Sequence, residues 1–206
     1  MDDKVIESVL VPLIRTNRKI KKEAIMLVIH PKDKTTAMLS ALYDGLEAQV
    51  VADCCSIKKM GHLLHRVSTQ ERIMLLGHGS GKGLLYRADD SKDKFEIIVG
   101  HPHAFHLRRH GGNIVAVWCN ADQFARAEGL HGLFTGMIVS ELSEAQLYQI
   151  ETTQEELDRE NVKLAMRLRA LLDERIPLCE IPNRMLAMDD AHTPLTMFNY
   201  NNFYCL

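Results

Sequence analysis

The chain has 206 residues, of which 46% are apolar, and its 25 basic and 27 acidic side chains leave a formal net charge of −2. At about 150 residues per domain, this length favours one domain over residues 1–206, with enough apolar side chains for a core that needs no disulfide or metal. The near-neutral charge argues against a nucleic-acid binder, and no apolar run approaches the roughly 18 residues of a membrane span. The acidic start and broken first apolar run also argue against a signal peptide.

The five cysteines, at positions 54, 55, 119, 179 and 205, form an odd set without a CxxC pair. Their density is far below that of a disulfide scaffold, so we expect a cytoplasmic protein with reduced thiols. Four of them lack any motif context, and we expect structural roles for Cys54, Cys55, Cys179 and Cys205.

The first half of the chain alternates between strand and helix patterns. Residues 1–23 form a lead-in segment with a solvated basic end, and three uninterrupted apolar runs follow at 24–29, 72–76 and 113–118. Such runs are typical of strands buried on both faces of a parallel sheet. Between the first two runs, the apolar spacing predicts a helix over 33–46, a short strand over 49–52 and a helix over 56–67. We therefore predict an α/β three-layer sandwich with a mainly parallel central sheet and a core over about residues 24–175.

The second half is less regular. The predicted elements are a polar glycine-containing stretch over 81–93, half of a small hairpin over 95–99, helices over 102–110, 122–128 and 153–174, an apolar run over 134–139 taken as the next strand, and an edge strand within 194–206. That edge strand suits pairing within the chain or with another chain, so the oligomeric state stays open.

Two of the predicted buried strands end in residues with catalytic potential. His78 follows the run at 72–76, and Cys119 follows the run at 113–118. The carboxyl ends of parallel strands converge on one crevice, so the two side chains are expected to face each other there. A neighbouring imidazole makes a cysteine thiolate available as a nucleophile, and the glycine after His78 lets backbone approach a substrate closely.

These two segments, IMLLGHGS (73–80) and IVAVWCNA (114–121), resemble the caspase-like cysteine peptidases, the group that includes metacaspases, legumain, gingipain, clostripain and separase. The family pattern is an apolar strand ending in His-Gly, followed some 40–60 residues later by an apolar strand ending in the nucleophilic Cys. The similarity covers roughly residues 24–140 and implies a caspase-like fold.

The resemblance implies His78 as the acid/base, Cys119 as the nucleophile and the Gly79 backbone as an oxyanion donor. It implies hydrolysis of a peptide or protein substrate without a cofactor. Trp118 departs from the small residue that many members have before the cysteine. The alternative function is a binding or regulatory module that keeps this core without turnover.

Relatives that cleave after basic residues have acidic side chains near the cysteine strand and at the end of the next strand. The matching positions here are Asp122, Ser140 and Glu141. A carboxylate at the base of the specificity pocket would pair with a substrate Arg or Lys. The competing interpretation is a solvated Asp122 and a helix cap at Ser140 with acidic residues in the first turn.

Three other motifs compete for function. The segment 77–82 resembles a phosphate-binding loop but has three residues between its glycines instead of four, and Gly83 follows the lysine. Ser80 lacks the flanking glycines of a hydrolase nucleophile elbow. A histidine cluster lies at and next to the predicted helix 102–110, where His103, His106 and His110 would share one face with the spacing of metal ligands. No carboxylate or cysteine completes a metal site, so we expect a partly exposed polar face and no metal site. Its members are His101, His103, His106 and His110.

Overall fold

The computed structural model describes residues 26–87 and 94–206, and the predicted lead-in segment 1–23 lies outside them. The strands are β1 (Met26–Ile29), β2 (Gln49–Val51), β3 (Arg72–Leu76), β4 (Gly79–Ser80), β5 (Gly83–Arg87), β6 (Phe95–Gly100), β7 (Ile114–Val117), β8 (Gly132–Thr135) and β9 (Phe203–Cys205). The α-helices are α1 (Ile57–Arg66), α2 (Ala104–Leu107), α3 (Ala121–Glu128), α4 (Leu142–Leu147), α5 (Gln154–Asp173), α6 (Ile181–Ala187) and α7 (Pro194–Tyr200).

The central sheet has six strands in the order β2-β1-β3-β7-β8-β9. The first five run parallel to one another, and β9 pairs antiparallel with β8 at the edge. The α/β prediction with a mainly parallel sheet is therefore confirmed. This order makes β3 and β7 direct neighbours, so the segments that follow them leave the same edge of the sheet side by side.

Helices cover both faces of the sheet because alternate side chains of each strand point to opposite faces. Leu27 and Ile29 of β1 belong to an apolar cluster with α1, α2 and α3. Met26 and Val28 belong to a second cluster with α5, α6 and α7. Buried side chains of this second cluster extend past residue 175, the predicted end of the core.

A second sheet of three antiparallel strands, β4-β5-β6, follows β3 directly. The predicted hairpin half at 95–99 is confirmed as β6. Its partner β5 falls inside the stretch 81–93, which we predicted only as polar and glycine-containing. β5 mixes apolar and polar residues and lacks the uninterrupted apolar run of a buried strand, so the sequence does not predict it.

Three predicted elements differ in kind or length. The helix expected over 33–46 is shorter and is a 3-10 helix over Ala37–Leu42, in which Leu39 and Leu42 are buried at a spacing of three. The strand expected over 134–139 ends at Thr135, and an irregular segment continues to residue 140. The edge strand within 194–206 is mostly helix α7, which begins at a proline capped by Thr193, and only its last residues form β9.

The predicted helices over 56–67, 122–128 and 153–174 are confirmed as α1, α3 and α5. Ser56 and Thr153 cap α1 and α5 by accepting a hydrogen bond from the backbone N–H three residues on. Across residues 26–87 and 94–206, no helix is both long and apolar enough to cross a membrane.

Candidate functional site

The ends of β3 and β7 bring His78 and Cys119 to one small cavity. The Gly77 N–H donates to Val117 O at 3.1 Å, which continues the sheet pairing beyond the strand ends. The cavity has a volume of about 20 Å³, and His78, Trp118, Cys119 and Ile138 are among its lining residues. That volume is room for about one water molecule.

The two side chains share the cavity without a direct hydrogen bond in the described structure. The Cys119 thiol instead donates to Ile138 O, with Sγ and O 3.5 Å apart. Such a gap between two neighbouring functional side chains is common before a ligand is bound.

His78 is held by a side-chain network on the segment after β1. Its Nε2 lies 2.6 Å from Thr35 Oγ1 and 3.6 Å from Asp33 Oδ1. The Thr35 hydroxyl and the Thr35 backbone N–H both donate to Asp33 Oδ1, at 2.6 and 2.9 Å. Because β1 is the other parallel neighbour of β3, this network lies at the same sheet edge as the two predicted site residues.

The β5–β6 hairpin contacts the same network from the other side. Arg87 Nε lies 3.6 Å from Asp33 Oδ2, and the guanidinium lies over the Phe95 ring at 4.9 Å from its centroid. Phe95 in turn meets the His78 ring edge to face, with centroids 5.8 Å apart. His78 therefore has a polar partner on one ring nitrogen and an aromatic partner against the ring.

Asp33 is ionised in this environment. Burial alone would raise the pKa of its carboxyl, but the hydrogen bonds from Thr35 and the charges of His78 and Arg87 outweigh burial and hold the pKa below its usual value. The side chain is only 6% exposed, so its negative charge acts on His78 with little screening by water.

Hydrogen bonds to the backbone of the residues on either side of Cys119 fix its position. The buried Thr135 side chain accepts from the Trp118 N–H at 3.0 Å and donates to Trp118 O at 2.8 Å, which fixes the end of β7. Asn120 then adopts the left-handed conformation (φ 66°), which asparagine tolerates, and its N–H donates to Gly136 O. The chain turns sharply here from β7 into α3, and Cys119 lies at the turn.

The environment of Cys119 favours the neutral thiol. Burial raises its pKa to about 11, and the carboxylates of Glu144 and Glu141 add to the increase. At pH 7 a thiol with this pKa is ionised in only about one molecule in 10⁴. Removal of this proton near neutral pH therefore needs a base close to the sulfur.

Gly79 lies directly under the Trp118 indole. A Cβ at position 79 would stand 1.9 Å from Trp118 Cδ1, so this close approach requires glycine. The Leu85 N–H donates to His78 O at 2.8 Å, which makes Gly79 and Leu84 a pair without mutual hydrogen bonds in the β4–β5 ladder. The Gly79 N–H consequently points away from β5.

The three predicted specificity residues do not lie together. Asp122 is in the first turn of α3 and pairs with Arg126 at 3.7 Å, away from the residues that line the small cavity. Ser140 lines the cavity. Glu141 is the N-cap residue of α4, and Glu144 of that helix accepts from the N–H groups of Ser140 and Glu141.

A larger cleft of about 620 Å³ adjoins the cavity through Met38, Ser140 and Asn161, which line both. Its other lining residues include Thr35, Glu141 and the α5 carboxylate of Asp158. The cleft lining carries more negative than positive charge, since Glu141 and Asp158 stand against Lys34.

The predicted histidine face is wrong for two of its members. His103 and His110 are buried, and His103 accepts from the Gly100 N–H while its Nε2 bonds Ile57 O at 3.1 Å. His101 pairs with Glu128 at 2.7 Å. In the described ranges no group of three or more His, Cys, Asp or Glu side chains is arranged to hold a metal ion.

The remaining cysteines differ in burial. Cys55 packs against the core, in keeping with a structural role. Cys54, Cys179 and Cys205 are exposed free thiols, and their structural role stays a prediction.

Sequence reasoning missed Asp33 and Thr35, although a signal was present. Both follow the first of the apolar runs, and polar residues after neighbouring parallel strands converge at one sheet edge. The long-range partner of Thr35, His78, is 43 residues away and only the fold reveals the contact.

No protein-family model matches the chain, and no curated protein sequence matches it significantly.

Proposed function

We propose that the chain is a caspase-like cysteine endopeptidase in which Cys119 is the nucleophile and His78 the acid/base. The single observation that carries the proposal is that His78 and Cys119 follow adjacent parallel strands and line the same cavity. The fold supports it because the two residues are 41 positions apart in the sequence, yet both leave the same edge of the sheet once β3 pairs with β7.

In the proposed reaction the Cys119 sulfur attacks a peptide carbonyl carbon while the thiol proton passes to His78. The neutral state of the thiol favours this coupled transfer over a preformed ion pair. The carbonyl oxygen becomes an oxyanion, and the N–H groups of Gly79 and Cys119 are its donors. His78 then gives its proton to the amine nitrogen as the C–N bond breaks, and water hydrolyses the thioester to restore the thiol.

The cleft beside the cavity is the proposed substrate channel. Glu141 and Asp158 give it two carboxylates against the single cation of Lys34, which suits cleavage after a basic residue. Ser140 and Glu141 lie on this side of the cavity, whereas the pairing of Asp122 with Arg126 favours a structural role for that residue.

The alternative function is a binding or regulatory module with the same crevice and no turnover. One observation favours it: the acidic neighbours Glu144 and Glu141 stabilise the unreactive form of Cys119. In that case the crevice would bind a peptide without acylation.

The test is a library of peptides that vary the residue before the cleaved bond, with products identified by mass spectrometry. We expect cleavage after Arg or Lys that is lost in Cys119→Ala and in His78→Ala, while Cys54→Ala, which removes an exposed thiol, retains it. Cleavage after acidic residues would overturn the specificity. Cleavage that survives Cys119→Ala, or binding without cleavage by the wild-type chain, would overturn the peptidase assignment.

A further inference from the structure

We infer that Thr35 and Asp33 are positioning residues that hold neutral His78 in one tautomer, with the proton on Nε2 and the lone pair on Nδ1. The catalytic use of this tautomer rests on the proposed peptidase function, but the tautomer itself does not. The inference comes from two short contacts that share the Thr35 hydroxyl. Thr35 Oγ1 lies 2.6 Å from His78 Nε2 and 2.6 Å from Asp33 Oδ1.

The Thr35 hydroxyl has one proton and can donate it to only one of its two neighbours. Asp33 is ionised, so its oxygen accepts hydrogen bonds and has no proton to donate. The hydroxyl proton must therefore lie between Thr35 Oγ1 and Asp33 Oδ1, because the opposite arrangement would set two lone-pair-bearing oxygens 2.6 Å apart.

Because its hydroxyl hydrogen is donated in the hydrogen bond to Asp33, the Thr35 oxygen can only accept a hydrogen bond from His78. The 2.6 Å contact is a hydrogen bond only if Nε2 carries a proton. In the neutral ring the other nitrogen, Nδ1, then has the lone pair, and it is the one nitrogen able to accept the Cys119 proton.

Asp33 also matters after that transfer. When His78 becomes an imidazolium, its positive charge lies 3.6 Å from a carboxylate that is 6% exposed. Arg87 lies 3.6 Å from the other oxygen of the same carboxylate and limits the gain. The Asp33 carboxylate attracts this charge, and the Arg87 guanidinium has the same sign as the charge and reduces the net attraction.

The decisive measurement is the pair of ring ¹⁵N chemical shifts of His78, recorded by NMR on the full chain without substrate at a pH where the ring is neutral. We expect the wild-type protein to show a protonated Nε2 and an unprotonated Nδ1. Thr35→Val removes the acceptor with little change in volume, so the two tautomers should become mixed. Thr35→Ser restores the hydroxyl and should restore the wild-type shifts.

Thr36→Val is the matched control for this measurement. Thr36 follows Thr35 directly, and its hydroxyl is buried without a hydrogen-bond partner in the described ranges. The ¹⁵N chemical shifts of His78 should therefore be unchanged in this variant. Asp33→Asn should also mix the tautomers, because an amide can donate to Thr35 and release the hydroxyl proton toward His78. A wild-type shift pattern with Nδ1 protonated, or unchanged shifts in Thr35→Val, would overturn the inference.

Peptide cleavage separates this inference from the proposed function. If the wild-type chain cleaves peptides, we expect Thr35→Val to lower kcat by at least about tenfold with little change in KM, and Thr35→Ser to recover most of it. If the shifts behave as expected and no peptide is cleaved, the positioning role stands and the peptidase proposal fails.

Discussion

The two halves of the cavity are built from different kinds of interaction. On the His78 side, charged and polar side chains converge: Thr35 and Asp33 lie beside the imidazole, and Arg87 lies against Asp33. On the Cys119 side, backbone bonds and apolar neighbours hold the thiol, and the nearest charges are carboxylates that disfavour ionisation.

This difference assigns separate tasks to the two halves. In the proposed reaction the imidazole is oriented by its polar neighbours, whereas burial and the nearby carboxylates keep the thiol neutral until its proton is transferred. A site of this kind depends on the alignment of the two halves more than on the intrinsic reactivity of the cysteine. Variants on each side test this difference, and the first concerns the contact between Gly79 and Trp118, which joins the two halves.

Gly79→Ala should have the largest effect, because the new methyl group would overlap the buried Trp118 indole. We expect a loss of about 3 kcal/mol in the free energy of unfolding, measured by urea denaturation. Gly111→Ala is the matched control, since its nearest neighbour would be 3.9 Å from the new Cβ. Equal stability of the two variants would show that the halves are not packed together at this point.

Thr135→Val should be next, because it leaves the buried N–H and C=O of Trp118 without their side-chain partner. The expected loss is about 2 kcal/mol in the free energy of unfolding. Thr69→Val, on an exposed turn, should change stability by less than about 0.5 kcal/mol. If Thr135→Val were as mild as this control, the backbone anchoring of the cysteine half would be wrong.

Asp33→Asn tests the charged half through pH. The pKa of Asp33 is lowered in the folded protein, so its ionised form stabilises the fold above the unfolded-state pKa near 4, and this contribution is lost as pH falls through the folded pKa. We expect a loss of about 1 kcal/mol at pH 7 that shrinks in more acidic solution. Asp53→Asn removes an exposed ion pair and should show no such pH dependence. A pH-independent loss for Asp33→Asn would contradict the ionised carboxylate.

Glu144→Gln tests the acidic environment of the thiol. Removal of a negative charge favours the thiolate, so the pKa of Cys119 should fall below about 11, and the pH profile of its alkylation by iodoacetamide should move to lower pH. Glu151→Gln, at an exposed position, is the control. A profile that moves upward or stays in place would remove Glu144 from the account of the raised pKa.

Asp122→Asn should have the smallest effect, about 0.3 kcal/mol, because it breaks one ion pair within α3. The residue preference in the peptide library should be unchanged, since Asp122 does not line the cavity. A loss of preference for Arg or Lys in this variant would return Asp122 to the specificity pocket.

The parallel sheet was predictable because its strands are short apolar runs, and the order of those runs placed His78 and Cys119 at strand ends. Strands β4 and β5 and helix α7 were not. Leu85 and Arg87 lie two residues apart on β5, one apolar and one charged, so β5 shows no regular apolar alternation, and the start of α7 depends on the Thr193 cap. The apolar spacing also predicted a longer α-helix where a 3-10 helix forms, because both kinds of helix place Leu39 and Leu42 on one face.

The site was predictable only as a pair. The resemblance supplied His78 and Cys119, and strand pairing brought them together. The contact between Thr35 and His78 depends on the path of a loop of irregular backbone, which no periodic pattern describes. The raised pKa of Cys119 depends on burial and on carboxylates from α4, so sequence spacing carried no information about it.

The wall of the cleft beyond Cys119 is fixed by two buried amide side chains. Asn199 accepts from the Val139 N–H at 2.8 Å, and both Asn161 and Asn199 donate to Val139 O. Asn199 also donates to Asn161 at 3.1 Å, so helices α5 and α7 meet the segment after β8 at one residue, Val139. A wall already ordered in this way loses little conformational entropy when a ligand binds, so contacts made along it contribute almost fully to affinity.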